Sequence, residues 1–91
     1  MSFELIPSKK VLKELEELEK PLKLRFLDLF IKLKMEPVPT NEFDVIKIGG
    51  SDHTYRIRIQ KARVIYDVYW KERRIEILKV ERRKGRTYKN L

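Results

Sequence analysis

Apolar positions follow a helical period in the first third of the 91-residue chain and a period of two from residue 43 onward. Residues 2–6 alternate weakly around Phe3 and Leu5, which predicts a short opening strand. Ser8 is a fitting N-cap for a helix carrying Val11, Leu15, Leu18 and Leu22 at helical spacing, and Pro21 is expected to stop or bend it near Lys20. A second helix is predicted over residues 21–34, with Leu24, Leu27, Phe30 and Ile31 on one stripe. Phe26, Leu29 and Leu33 widen its apolar arc beyond what one sheet face needs. Such a helix is either wedged between the first helix and a sheet or keeps an apolar groove for a partner.

Glu36-Pro37-Val38-Pro39-Thr40 cannot continue a helix and reads as an extended linker. Residues 43–48 form a short strand candidate closed by the turn cluster Gly49-Gly50-Ser51-Asp52. In residues 55–60, Tyr55, Ile57 and Ile59 share one face while Arg56, Arg58 and Gln60 share the other. Lys61-Ala62 makes a hairpin into residues 63–70, where Val64, Tyr66, Val68 and Trp70 oppose Arg63, Ile65, Asp67 and Tyr69. Lys71-Glu72-Arg73 turns into a last strand at 74–80, and residues 81–91 are too polar for the core. The chain is therefore expected to be one α+β domain over residues 1–91. A short N-terminal strand and a helical hairpin cover one side of an antiparallel sheet, and a basic tail follows.

Size and composition agree with that plan. The chain has room for a single core, and a 42% apolar fraction is that of a globular protein. Cysteine is absent, which excludes disulfides, thiolate metal sites and a cysteine nucleophile. The start lacks the apolar run of a signal peptide and no stretch reaches membrane-spanning length, so a soluble cytoplasmic protein without membrane contact is expected. Charge is unevenly spread. Residues 56–91 hold thirteen Lys/Arg against four Asp/Glu, a net +9, whereas the first 55 residues carry a net −1. A field so lopsided attracts polyanions to one side of a small body.

Alternation places Arg56 and Arg58 on the open face of their strand, and a simple hairpin register puts Arg63 beside them. Arg82, Arg83 and Arg86 follow the last strand, with Tyr88 two residues further on. Guanidinium forks bind phosphate oxygens bidentately and keep their charge at all relevant pH values. A tyrosine adds a stacking platform for a base or a phenolic proton carrier. Lys61, Arg83, Lys84, Arg86 and Lys89 are further candidates for phosphate contacts to a polyanion. The competing reading is a solvated face on a half-buried sheet, although solubility alone would be served by mixed signs. Several chemistries are excluded: His53 is the only histidine, no cluster has metal-ligand spacing, and Gly49-Gly50 lacks a P-loop lysine. No cofactor and no metal are called for. Tyr66, Tyr69 and Trp70 are expected to pack rather than stack on bases.

Tyr55-Arg56-Ile57-Arg58-Ile59, Arg63-Val64-Ile65-Tyr66, Ile75-Glu76-Ile77-Leu78-Lys79-Val80 and the basic tail with Tyr88 resemble the RelE/ParE toxin superfamily. Glu36-Pro37-Val38-Pro39 with Phe43-Asp44-Val45-Ile46-Lys47 is most similar to archaeal RelE-type toxins. The resemblance implies a helical hairpin on a twisted antiparallel sheet and a RelB-like antitoxin partner. It also implies cleavage of messenger RNA in the ribosomal decoding site, where a 2′-hydroxyl attacks the adjacent phosphate and the 5′-oxygen leaves. The family's basic strand pair falls on Arg56 and Arg58, its next-strand arginine on Arg63, its tail arginine on Arg82 and its tail tyrosine on Tyr88. Family members often carry lysines at the strand pair, and one of these has been proposed as the base. Arginine cannot deprotonate near neutrality, so Tyr88, its phenol eased toward ionisation by guanidiniums, is expected to take the 2′-hydroxyl proton. Arg56, Arg58 and Arg63 would then stabilise the phosphorane and Arg82 the leaving oxygen. Two other readings share the features: a ParE-like gyrase poison, and an RNA- or ribosome-binding module that acts by counterion release alone.

Overall fold

The computed structural model of the chain describes residues 2–82. Two helices lie on one face of a five-stranded sheet of order β1-β5-β4-β3-β2. The elements are β1 (Glu4–Pro7), α1 (Lys9–Glu16), α2 (Lys20–Met35), β2 (Asp44–Lys47), β3 (Thr54–Ile59), β4 (Ala62–Tyr69) and β5 (Arg74–Arg82). The expected α+β architecture is present, and β2 to β5 form the antiparallel meander. The opening strand differs in one respect: β1 runs parallel to β5, pairing Glu4 with Arg74 and Pro7 with Ile77.

Ser8 caps α1 by accepting from the Val11 amide at 3.1 Å. The helix ends at Glu16, five residues before the proline expected to end it. Pro21 instead stands in the first turn of α2, where the missing N–H would have had no intrahelical acceptor. Leu18 and Leu22 are both buried, one before and one within α2. The stripe of α2 that enters the core is Leu22, Phe26, Leu29, Phe30 and Leu33. Leu24, Leu27 and Ile31 point away from it and are 50%, 40% and 66% exposed, with Met35 continuing the outer stripe at 67%. The helix is thus not wedged all round. The stripe chosen for burial carries both phenylalanines, which cover the most sheet surface.

Below the helices, Ile57, Ile59, Val64, Tyr66, Val68, Ile75, Ile77 and Val80 complete the core. Tyr66 is fully buried and donates its hydroxyl to the Pro37 carbonyl at 2.8 Å, pinning the extended linker to the sheet. Burial pushes its phenol pKa well above the ordinary value. Trp70 lies in the turn after β4 rather than on it, half exposed, with its ring perpendicular to that of Phe3. At the same end of the sheet Asp67 is buried and accepts from Thr54 Oγ1 and, at 3.3 Å, from the Tyr69 hydroxyl. His53 stands 3.9 Å from Asp67 and packs at a tilt against the Tyr69 ring, beyond a turn in which Gly50 takes φ 86°.

β5 runs two residues past its expected end, so Glu81 and Arg82 belong to the strand and not to the tail. It also carries a bulge: Ile65 pairs with Lys79 and Tyr66 with Ile77, leaving Leu78 as the extra residue. Strict alternation from Ile75 and Ile77 would have driven Lys79 and Glu81 into the core. The bulge resets the phase, so Val80 is buried and the two charged side chains face outward. Past Ile77, β1 no longer covers the edge of β5, and Glu14 of α1 takes over by accepting the Val80 amide at 2.8 Å. Glu14→Ala should strand that N–H and cost about 1–2 kcal/mol in urea denaturation, whereas Glu14→Gln, which keeps an acceptor, should lose less.

Candidate nucleic-acid interface

Four charged residues stand side by side across the open face of the sheet. Asp44 pairs with Arg58, Arg58 with Arg63, and Arg63 with Glu81 in the registers of β2 to β5. The next row on the same face is Ile46, Arg56, Ile65 and Lys79. Each terminal carboxylate bridges two cations. Asp44 reaches Arg58 at 3.0 Å and Arg56 at 3.6 Å, while Glu81 accepts from Arg63 Nε at 2.7 Å and meets Lys79 Nζ at 2.6 Å. Hydrogen bonds from Lys79 and then Arg63 hold the Glu81 carboxyl below its ordinary pKa.

The order of charges in this row is informative. Like charges directly opposite on neighbouring strands oppose pairing, yet Arg58 and Arg63 occupy the centre and the two acids the flanks. A sheet built only for stability would alternate the signs. Arg56 adds a second anomaly. Its side chain is 17% exposed against 51% for Arg58 and for Arg63, and its buried Nε has no hydrogen-bond partner among the described residues. An unpaired buried donor typically opposes folding by about 1–3 kcal/mol. The exposed like-charge pair is expected where a polyanion lies between the two guanidiniums.

Arg82 does not join the row. It pairs with Ala62 on the helix-facing side of β5 and reaches Glu19, between α1 and α2, at 3.0 Å. The two sides meet at the end of the sheet in a cleft of about 650 Å³ lined by Arg58, Lys61, Arg63 and Arg82, together with Glu14 of α1 and Glu17, which follows that helix. Of the residues singled out in the sequence, Arg58, Lys61, Arg63 and Arg82 therefore share a cleft, and Arg56 sits one row behind. Arg83, Lys84, Arg86, Tyr88 and Lys89 lie outside the described residues. Sequence reasoning missed Asp44, Glu81 and Lys79. The apolar doublet Ile77-Leu78 breaks the alternation of β5 and was the signal for the last two. Among the described residues no cluster of three His, Asp or Glu side chains could hold a metal ion.

Chemically, the row and the cleft present guanidiniums at fixed spacing to an extended anion. They can bind phosphate oxygens and stabilise charge that develops on them. They cannot themselves move a proton near neutrality.

These features define a small α+β protein with helices on one face of its sheet and an arginine array on the other. The chain belongs to the RelE toxin family. It is 43% identical over 90 residues to RelE1 of Methanocaldococcus jannaschii, covering 99% of both chains. It is also 43% identical to a chain of the archaeal RelE–RelB complex from Pyrococcus horikoshii, with a TM-score of 0.83 over 96% of this chain and all of that one. The isolated Escherichia coli RelE toxin shares the fold at 17% identity, with a TM-score of 0.76 over 99% of this chain and 92% of that one. No family profile matches the chain.

The Glu81 pairs give a pH signature. A folded carboxyl pKa below the unfolded value of about 4.5 means that the stabilisation is present above that pH. It is lost as pH falls through the lower folded value. Wild type should exceed Glu81→Gln by under about 1 kcal/mol at neutral pH, since the guanidinium partner is half exposed. The gap should close on acidification in denaturation curves recorded at both conditions.

Proposed function

We propose that the protein is a toxin of the RelBE type that cleaves messenger RNA in the ribosomal decoding site. The observation that carries this reading is the open-face arginine row, whose central like-charge pair is accounted for by a phosphodiester bound between the two. In the proposed reaction the 2′-hydroxyl attacks the adjacent phosphorus. Its proton passes to the Tyr88 phenolate, and the 5′-oxygen departs, taking its proton from water, to leave a 2′,3′-cyclic phosphate. Arg56, Arg58 and Arg63 stabilise charge on the pentacoordinate phosphorus, and Arg82 supports the leaving oxygen. The weak, exposed Glu19 contact on Arg82 is easily exchanged for a phosphate. Lys61 and the tail cations Arg83, Lys84, Arg86 and Lys89 add sequence-independent contacts to RNA or ribosome.

A RelB-like antitoxin is the proposed partner, supported by the family's complexes with RelB in the solved relatives. Its proposed seat is the outer stripe of α2, where Leu24, Leu27, Ile31 and Met35 leave a line of apolar surface uncovered.

Toeprinting on translating ribosomes tests the activity. Cuts at defined codon positions are expected, whereas a stalled complex without cuts would point to a binding module and gyrase-dependent DNA breaks to a ParE-like poison. Arg63→Ala should slow cleavage by about 10²–10³-fold, and Tyr88→Phe should slow it measurably. Wild-type cleavage by Tyr88→Phe would remove the tyrosine from the mechanism. Growth arrest that survives an Arg82→Ala/Tyr88→Ala change would sink the catalytic reading. Leu27→Lys/Ile31→Lys should weaken antitoxin binding at least about tenfold in calorimetry while leaving thermal stability and cleavage unchanged.

A further inference from the structure

We infer that Asp44 and Glu81 are positioning residues: two carboxylates at the ends of the open-face row that fix the guanidiniums for one phosphate between Arg58 and Arg63. This deepens the ribonuclease reading and rests on it. Both acids use both oxygens. Asp44 Oδ1 takes Arg56 and Oδ2 takes Arg58, while Glu81 Oε1 takes Arg63 and Oε2 takes Lys79. Every cation of the two open-face rows is therefore gripped by one of two carboxylates. Neither acid comes between the arginines. The register sets Asp44 outside Arg58 and Glu81 outside Arg63, so the facing sides of the central pair are left for a ligand.

Long arginine side chains lose rotamer freedom when they are immobilised. Where a carboxylate shared with a second cation, as Asp44 and Glu81 are and Glu19 is not, already restricts them, substrate binding has less freedom to remove and the binding interaction is realised in the correct geometry. The grips differ in kind. Glu81 engages Arg63 through Nε, which leaves both terminal nitrogens of that guanidinium for phosphate, whereas Asp44 engages Arg58 through one terminal nitrogen. Arg56 is held at longer range and deeper, and it supports Asp44 from the inner row. The bulge at Leu78 is what brings Glu81 and Lys79 to this face at all.

A carboxylate that merely neutralised positive charge would have the opposite effect on catalysis. Removing it would tighten RNA binding and leave the rate at saturation the same or higher. Removing a positioning carboxylate also adds net positive charge, so binding stays equal or tightens, but the saturated rate falls. Wild type, Asp44→Asn, Glu81→Gln and Asp44→Glu should be compared in single-turnover cleavage on messenger-programmed ribosomes across ribosome concentration. The expected result for Asp44→Asn and Glu81→Gln is a saturated rate lowered about tenfold to a hundredfold with an unchanged or smaller half-saturation concentration. Asp44→Glu, which keeps the charge, should recover part of the rate. A saturated rate equal to or above that of wild type in both amide variants would overturn the inference. Melting curves identify any variant that fails to fold.

A second measurement separates this inference from the activity on which it rests. Relaxation of the arginine Nε–H groups reports side-chain order in the free protein, without ribosomes or RNA. Asp44→Asn should loosen Arg56 and Arg58 and leave Arg63 ordered, while Glu81→Gln should loosen Arg63 alone. Unchanged order in both variants would overturn the positioning role even if the wild type cleaves. A wild type that does not cleave but shows the expected loss of order would overturn the proposed reaction and leave the carboxylate grips standing.

Discussion

The single extra residue in β5 determines which side chains face the solvent at the working end of the sheet. With Leu78 looped out of register, Val80 enters the core and Lys79 and Glu81 face outward. Burial of those two charges would have been far more costly than a local break in a ladder of hydrogen bonds. The break is itself supported. Glu14 reaches from α1 to the Val80 amide where β1 no longer covers the edge. A helix residue that itself lines the cleft thereby stabilises the strand that presents Glu81, and through Glu81 the orientation of Arg63.

Two faces of one sheet carry separate tasks because coverage is one-sided. Ile57 and Ile59 face the helices while Arg56 and Arg58, one residue away in each case, face outward. The apolar face supplies the stability that an opposed pair of arginines reduces. Native proteins tolerate such local conflicts where a ligand resolves them. The helical layer divides its surface in the same way, with one stripe of α2 inside and another left exposed.

Legibility in the sequence followed the range of the interactions. The alternation of residues 55–60 and 63–70 placed Arg56, Arg58 and Arg63 on one face because the hairpin between them is two residues long and allows little else. Ser8 was readable as a cap because capping is local. In α2 both flanks are apolar, so periodicity alone could not decide which of them is buried, and the aromatic stripe prevailed. Pro21 signals a helix boundary in either direction, and it marked a beginning. Glu81 looked like tail because its own neighbourhood is polar. Its place in the strand depends on Arg63, which is distant in the chain. Asp44 was invisible as a partner for the same reason, since only the β2–β3 register brings it to Arg58. The parallel pairing of β1 is the longest-range contact of all and had no local signature.

That pairing has a consequence for the order in which the molecule forms. β1 rests against residues 74–77, so its hydrogen-bonding partner is made some seventy residues after it. Contacts this far apart close slowly, because the loop between them must be ordered first. During synthesis the helical hairpin can form early, but β1 must wait as an unpaired edge until β5 has left the ribosome. The outward-facing array is finished at the same moment, since Glu81 and Lys79 arrive on that strand. A nascent chain of this sequence therefore cannot display the complete array before β5 has left the ribosome.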